Sequence, residues 1–362
     1  MRISIEVGHP AHVHYWRNLI RLLTSRGHEI AVFARRKEIT LQLLNAYGIP
    51  FEIVGESRPD LISKGLGIFV DDIHVLRAAR RNRVEFMLST GIPGSAHASR
   101  VLGIPHVALI DTEIATLGRL LTEPFSDVIC TPACFAGKIP SKKHIPFDGY
   151  LELMYLHPKY FTPDPSVLAA VGLATGEPFA IVRFSSGDSS HDLPTTRRVL
   201  KSDAERSRLV TELAKRLRVF VTSESGLPEG LANFRLSLPP ERFHDLLSFA
   251  SLYVGDGATV ASEAGVLGVP WIYLSTSRRG YLDDQEKRFS LGTTIDSIDQ
   301  ALSLADAWSE GFRRGEWSRR RDRLLGDTCD VTRFMVDLVD NWPQGRPASQ
   351  WGRPVSLRGQ TH

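Results

Sequence analysis

The chain has 362 residues, with 44 Lys and Arg against 41 Asp and Glu, and its formal charge of +3 is too small to argue for a nucleic-acid partner. Hydrophobic content of 42% with 23% charge is that of a globular chain, and the length exceeds one ordinary core, so two domains of about 150 residues each are expected. No run of about 18 apolar residues is present to cross a bilayer as a helix, and the three cysteines, Cys130, Cys134 and Cys329, lack the partners of a zinc site and read as reduced thiols.

Residues 2–7 read as a strand that runs into the loop Gly8, His9, Pro10, Ala11, His12, Val13, His14. Trp16, Leu19, Ile20 and Leu23 then recur at helical spacing, and Gly27 ends that helix. Strand candidates at 29–34, 51–54, 84–89, 106–110 and 127–130 alternate with helical segments, which predicts a parallel sheet with right-handed crossovers. A stretch rich in proline and aromatics, 145–178, reads as the connection to a second alternating half. There the strands fall at 179–184, 219–222, 234–236, 252–254 and 271–274, and the clearest helix at 204–217. Val331, Phe334, Met335, Leu338, Val339 and Trp342 stripe a last helix, and the Gly-, Pro-, Gln- and Arg-rich residues 343–362 are expected to be disordered. The expected organisation is a first domain over 1–150, a connection over 151–178, a second domain over 179–328, a terminal helix over 329–342 and the tail.

The segment 255–270, GDGATVASEAGVLGVP, joins a strand to a helix through a turn with almost no side chain above its backbone. Thr259 is a candidate N-cap, and Gly268 with Pro270 stops the helix. Open amides and the positive end of the helix dipole favour an anion above Gly257, Ala258 and Thr259. Glu263, about one turn further in, would repel a phosphate on the helix axis but suits a ribose diol, which offers it two hydroxyl donors. The alternative is a glycine turn of the kind common in α/β proteins, with Glu263 merely an early helical acid.

The order small-residue turn, Ser262, Glu263, Ala264, then Leu267, Gly268, Val269, Pro270 and an apolar strand resembles the nucleotide-sugar loop of GT-B glycosyltransferases and UDP-N-acetylglucosamine 2-epimerases. In those families the glutamate binds the nucleotide ribose. The N-terminal order of strand, loop, helix, Arg26-Gly27-His28-Glu29 and strand is similar to the start of GT-B transferases such as the peptidoglycan N-acetylglucosaminyl transferase. His12 falls on the histidine of that loop, while Pro10 and Ala11 stand where its glycines would. Pro10-Ala11-His12-Val13-His14, Asp111-Thr112-Glu113 and 256–263 together resemble a GT-B-like family of predicted glycosyltransferases, over roughly residues 1–340. The resemblance implies an α/β fold of GT-B type: two Rossmann-like parallel-sheet domains facing a central cleft, with the last helix crossing back to the first domain.

Ligands of open α/β sheets bind at the carboxyl ends of the strands. Glu6, His12, His14, residues 91–95, Asp111 and Glu113 fall there in the first half, and Arg183, Ser185, Ser186, Ser223, Glu224 and Asp256 in the second. The expected reaction is metal-independent glycosyl transfer from a nucleotide-diphosphate sugar, with a UDP-sugar favoured, to a sugar, lipid-linked or polymer acceptor. Arg183 and the amides at 257–259 would take the diphosphate, and His12 would act as base or sugar-positioning group, with Asp111 and Glu6 as rivals. No cofactor or metal is expected, since His12 and His14 have no matched third ligand. Loop-ordering hydrogen bonds for the two histidines, and helix capping for Asp111 and Glu113, remain the structural alternatives.

Epimerisation of a nucleotide sugar is the second reading, although Ile92 stands where the 2-epimerases carry an Asp and His191 is out of register with their histidine. A non-catalytic nucleotide-sugar or polyanion binder is the third. Arg313, Arg314, Arg319, Arg320, Arg321 and Arg323 surround Trp317 and suit either an anionic membrane or a solvated helix face. Arg77, Arg80, Arg81 and Arg83 form a second basic group. The expected location is cytoplasmic, with peripheral contact to the inner face of the membrane as an option.

Overall fold

The computed structural model describes residues 1–56, 61–113, 116–185, 199–224, 226–310 and 314–342, with the backbone alone at 61–69, 116, 309 and 310. Ser186, His191, Arg313 and the tail 343–362 lie outside the described residues.

Apolar strands alternating with helices close into two parallel sheets. The first has the order β3-β2-β1-β4-β5-β6-β7, built from β1 (Arg2–Val7), β2 (Glu29–Arg36), β3 (Glu52–Glu56), β4 (Phe86–Ser89), β5 (His106–Leu109), β6 (Val128–Pro132) and β7 (His144–Phe147). Its connections are α1 (Pro10–Ser25), α2 (Glu38–Ala46), α3 (Leu61–Arg81), α4 (Pro93–Leu102) and α5 (Thr116–Thr122). The strands β1, β4, β5 and β6 are almost wholly buried because helices cover both faces of a parallel sheet.

Two short helices, α6 (Leu153–Leu156) and α7 (Ser166–Ala170), lead to the second sheet. Its order is β12-β11-β10-β8-β9, from β8 (Phe179–Phe184), β9 (Arg218–Ser223), β10 (Leu252–Gly255), β11 (Trp271–Leu274) and β12 (Gly292–Ile295). Around it lie α8 (Asp203–Ala214), α9 (Phe243–Phe249), α10 (Ala258–Leu267), α11 (Gly280–Asp284), α12 (Ile298–Glu310) and α13 (Arg314–Asp327). The last helix, α14 (Val331–Asp340), crosses back to the first half. It buries Val331, Phe334, Met335, Leu338 and Val339 against α1 and α6, and Trp342 meets Phe86 edge-on at 4.8 Å. One hydrophobic core therefore runs from β1 and α1 through α6 into β10 and α10 and out to α14.

Four local features differ from the sequence expectation. Residues 10–14 are helical, because Pro10 at the first position pre-sets φ and the His9 side chain caps the Ala11 amide at 3.2 Å. His12 and His14 thus project from α1 and not from a loop. Residues 234–236 form no strand: Pro228 and Pro239 bracket a 3-10 turn over Glu229–Phe234, and a single bridge joins Arg235 to Val221. Strands β7 and β12 leave no clear pattern in the sequence, since each has only four residues and β7 carries a proline on the sheet edge. Gly257, not Thr259, is the N-cap of α10.

Candidate functional site

The turn after β10 is shaped by what its backbone must avoid. A Cβ on Gly255 would stand 2.3 Å from the Arg183 carbonyl oxygen, so only glycine lets β10 pass β8 here. The Tyr253 hydroxyl donates to the Gly257 carbonyl at 2.9 Å, and Asp256 accepts the Ser185 amide at 2.6 Å, locking the β8 and β10 ends together. Gly257 caps α10 without a side chain, so the first-turn amides of Ala258, Thr259 and Val260 have no side-chain cap among the described residues. Arg183 leaves the end of β8 beside this turn, held by Glu224 at 2.7 Å, with Ser223 at the neighbouring end of β9.

Glu263 lies further along α10 and is 4% exposed. Its Oε1 accepts from the Tyr155 hydroxyl at 2.6 Å and stands 2.9 Å from His244 Nε2, while Oε2 makes no hydrogen bond with a described residue. Ser262 accepts from the Gln285 amide at 2.8 Å and bonds Glu152. Tyr155 and Glu152 come from the connection between the sheets and His244 from α9, so two separate segments converge on one turn of α10.

Glu152 and Asp111 complete a group of carboxylates around this point. Burial pushes Glu152 up to about 8, with the charges of Asp111 and Glu263 adding to the rise and its bond from Ser262 opposing it. Asp111, partly exposed beyond β5, is pushed up to about 6, chiefly by loss of solvent, against a hydrogen bond from Thr112 at 2.9 Å. Tyr15 and Tyr281 feel the charge of both acids, and burial first and those charges second keep their phenols protonated. The site therefore sets a group ionising near neutrality beside a carboxyl that keeps its proton there, an arrangement suited to general acid and base work.

The other sequence candidates fall elsewhere. Glu6 is fully buried and accepts both the amide and the hydroxyl of Ser95 at 2.7 Å, which anchors α4, and burial raises its pKa. His12 Nδ1 accepts the Gly8 amide at 3.2 Å and lies 2.8 Å from the Thr90 hydroxyl. Burial, with the charges of His9, Arg35 and Lys37, keeps this ring neutral, and its proton then sits on Nε2. His14 stacks on Tyr155 at 5.4 Å, meets His244 edge-on at 4.6 Å and takes a bond from Tyr47, so it belongs to the aromatic packing beneath Glu263. Glu113 accepts the Ala136 amide at 3.1 Å and presses on Gly280, where a Cβ would stand 2.3 Å from its Oε1. It sits against the start of α11, where glycine leaves it room.

Sequence reasoning missed Glu152, Tyr155 and His244. The signal was present as one acid inside the apolar run 150–156 and one histidine inside the apolar turn of α9. The arginines of α13 are largely tied internally: Arg314 to the Phe249 carbonyl, Arg320 to Glu316 and the Trp317 ring, Arg321 to Asp322 and Arg323 to the Arg288 carbonyl.

Two Rossmann-like lobes with a shared cleft and a returning C-terminal helix define a GT-B fold. Solved structures agree. The UDP-GlcNAc 2-epimerase from Neisseria meningitidis bound to UDP-GlcNAc matches with a TM-score of 0.66 at 12% identity, over 94% of this chain and 100% of that one. The UDP-GlcNAc 2-epimerase of Methanocaldococcus jannaschii in complex with UDP-GlcNAc and UDP matches with a TM-score of 0.61 at 15% identity, over 90% and 99%. The Streptomyces sp. SF2575 glycosyltransferase SsfS6 gives 0.56 at 16%, over 94% and 99%. The chain belongs to the family described as "Protein of unknown function (DUF354)", which matches residues 1–284. A relative of M. jannaschii, the uncharacterized protein MJ0665, is 22% identical over 296 residues, 75% of this chain and 80% of that one.

Proposed function

We propose that this protein is a glycosyltransferase whose donor is a nucleotide-diphosphate sugar, with a UDP-sugar favoured. Glu263 carries the reading. One of its oxygens is fixed by Tyr155 and His244, which leaves the other for a ribose diol beside the uncapped amides of α10. Arg183 and those amides would take the charge of the departing diphosphate without a metal. Asp111, which titrates near neutrality, is better suited than His12 to accept the acceptor's hydroxyl proton as the new glycosidic bond forms. His12, with its proton on Nε2, would donate a hydrogen bond to the sugar or diphosphate instead. Ser223, Ser185 and Asp256 hold the turn in shape. The sugar, lipid-linked or polymer acceptor would enter from the first half.

Epimerisation of the nucleotide sugar is the second reading, and one observation favours it. Asp111, Glu152 and Glu263 form a carboxylate group with protons to give and places to put them, which removal and return of a sugar C–H proton requires. The likeness to 2-epimerase structures supports it to the same degree that the likeness to glycosyltransferases supports transfer.

Thermal unfolding with a panel of nucleoside diphosphates and nucleotide sugars, on wild type and Glu263→Gln, tests the donor site. Ligand at about 100 times its Kd adds about 2.7 kcal/mol to the native state, enough to raise the midpoint by a few degrees. A shift lost in the variant is expected, and no shift with any nucleotide would refute the site. Incubation of the binding sugar nucleotide then separates the reactions. Nucleoside diphosphate released on addition of acceptor means transfer, and a new isomer of unchanged mass from donor alone means epimerisation.

A further inference from the structure

Six large apolar side chains outside the cleft residues are left exposed on one face of the first half: Val70, Ile73, Val101, Leu117, Leu120 and Phe125, between 40% and 65% accessible. Five of them lie on neighbouring helices, α3 along α4 and α4 along α5, and Phe125 lies in the turn that follows α5. His97 ties the three together at the centre of the face. Its Nδ1 lies 2.7 Å from the Asp72 carboxylate on α3, its Nε2 lies 2.9 Å from the Leu121 carbonyl on α5, and its ring meets Phe125 at 4.7 Å. Between α3 and α4 runs a groove of about 410 Å³ walled by Ile73, Leu76, Val101 and Phe125, with Arg100 on its rim. A contiguous exposed patch of this kind marks an interaction surface.

Charge decides what the surface meets. Val70, Ile73, Arg77 and Arg80 recur at helical spacing on one stripe of α3, so the apolar tips and the guanidinium groups point the same way. Arg77, Arg80 and Arg100 are exposed and make no ion pair with a described residue. The acids on the face are spent: Asp72 on His97 and Glu123 on Arg119. A twofold pairing of this face with a second copy would set cations against cations with no free described acid to meet them. A bilayer rich in anionic lipid offers both an apolar interface for the side-chain tips and countercharge for the rim.

We propose that the α3–α4–α5 face seats the protein on the surface of an anionic lipid bilayer. Val101, Leu117, Leu120 and Phe125 enter the headgroup boundary, and Arg77, Arg80 and Arg100 pair with lipid phosphates. This is contact without crossing, since no helix among the described residues is long and apolar enough to span a membrane. It also differs from contact through α13, whose Arg314, Arg320, Arg321 and Arg323 are engaged within the protein.

The test is co-sedimentation of the full chain with vesicles of phosphatidylcholine alone and of phosphatidylcholine with increasing phosphatidylglycerol. Leu117→Ser with Leu120→Ser removes apolar tips, and Arg77→Gln with Arg80→Gln removes charge. All four side chains lie on exposed helix surface, so an unchanged thermal midpoint shows that the variants are folded. Binding should rise with phosphatidylglycerol, fall with salt, drop about fivefold for each arginine removed and weaken in the serine variant. Equal binding to neutral vesicles, no binding, or binding that neither variant changes would overturn the proposal. So would a dimer, by light scattering, that the serine variant splits while vesicles are ignored, because the occupant would then be a second copy.

Discussion

Replacing Glu152 with glutamine isolates the most strained ionisation in the cleft. The folded protein holds this carboxyl's proton up to about pH 8, against an ordinary value of 4.5, because the side chain is 2% exposed and faces Asp111 and Glu263. Between those two pH values the folded state binds more protons than the unfolded one, so stability falls as pH rises and the loss is complete above about 8. At about 1.4 kcal/mol for each pH unit, the interval carries a penalty on the order of 4–5 kcal/mol. Asp111 contributes a fall of the same sign that ends near pH 6, and His97, raised by its bond to Asp72, adds one above about 6.5 in both proteins, so the difference between wild type and variant from 6 to 8 reports Glu152. Glutamine imitates the protonated acid and can still accept from Ser262. Glu152→Gln should therefore match wild type in urea unfolding only below about pH 4.5, exceed it by about 2 kcal/mol near pH 6 and by about 4–5 kcal/mol at pH 8.5, with a flatter profile between. Parallel profiles for the two proteins from pH 6 to 8.5 would show that Glu152 ionises freely and that the carboxylate group is not coupled as described.

Other predictions follow from single contacts. Tyr155→Phe removes one of the two donors that orient Glu263, and should weaken nucleotide affinity by about tenfold in titration calorimetry while leaving the fold intact. Asp111→Asn should lower turnover by about a hundredfold or more, with donor affinity unchanged, once a substrate is in hand. Gly255→Ala forces a Cβ onto the Arg183 carbonyl and should cost about 3 kcal/mol in chemical unfolding. His106, buried between the hydroxyls of Ser89 and Ser126, is held down to about 3 by burial. Below about pH 6.5 the unfolded chain takes the proton first, so stability should decline from there toward pH 3, and His106→Gln should reduce that decline.

Much of this architecture was legible because it is written in local pattern. Alternating four- to six-residue apolar runs and helical stripes announce parallel sheets, and the Gly255–Gly257 turn before α10 announces its open amides. What pattern could not deliver is convergence. Glu152 and Tyr155 meet Ser262 and Glu263 only because the connection folds back over α10, and His244 meets Glu263 because α9 packs on the same helix, long-range events with no periodic trace. His12 and Glu6 show the converse. Both sit at strand ends, where ligands bind, yet neighbouring amides and hydroxyls already engage them, and only the folded structure reveals that occupancy. Proline decided two local errors in opposite senses, starting a helix at Pro10 and breaking up the strand expected beyond Pro228.

The return of α14 bears on how the molecule resists load. Asp340 at its end pairs with Arg26 and His28 at the end of α1, so the first helix and the last described helix are clamped side by side. Tension applied between the ends would act on that clamp first, peeling α14 from α1 and opening the common core before any strand pair of either sheet is strained. The halves would then lose their shared apolar floor together. A chain severed in the connection should accordingly yield two fragments that rescue each other when mixed, and neither should be sound alone.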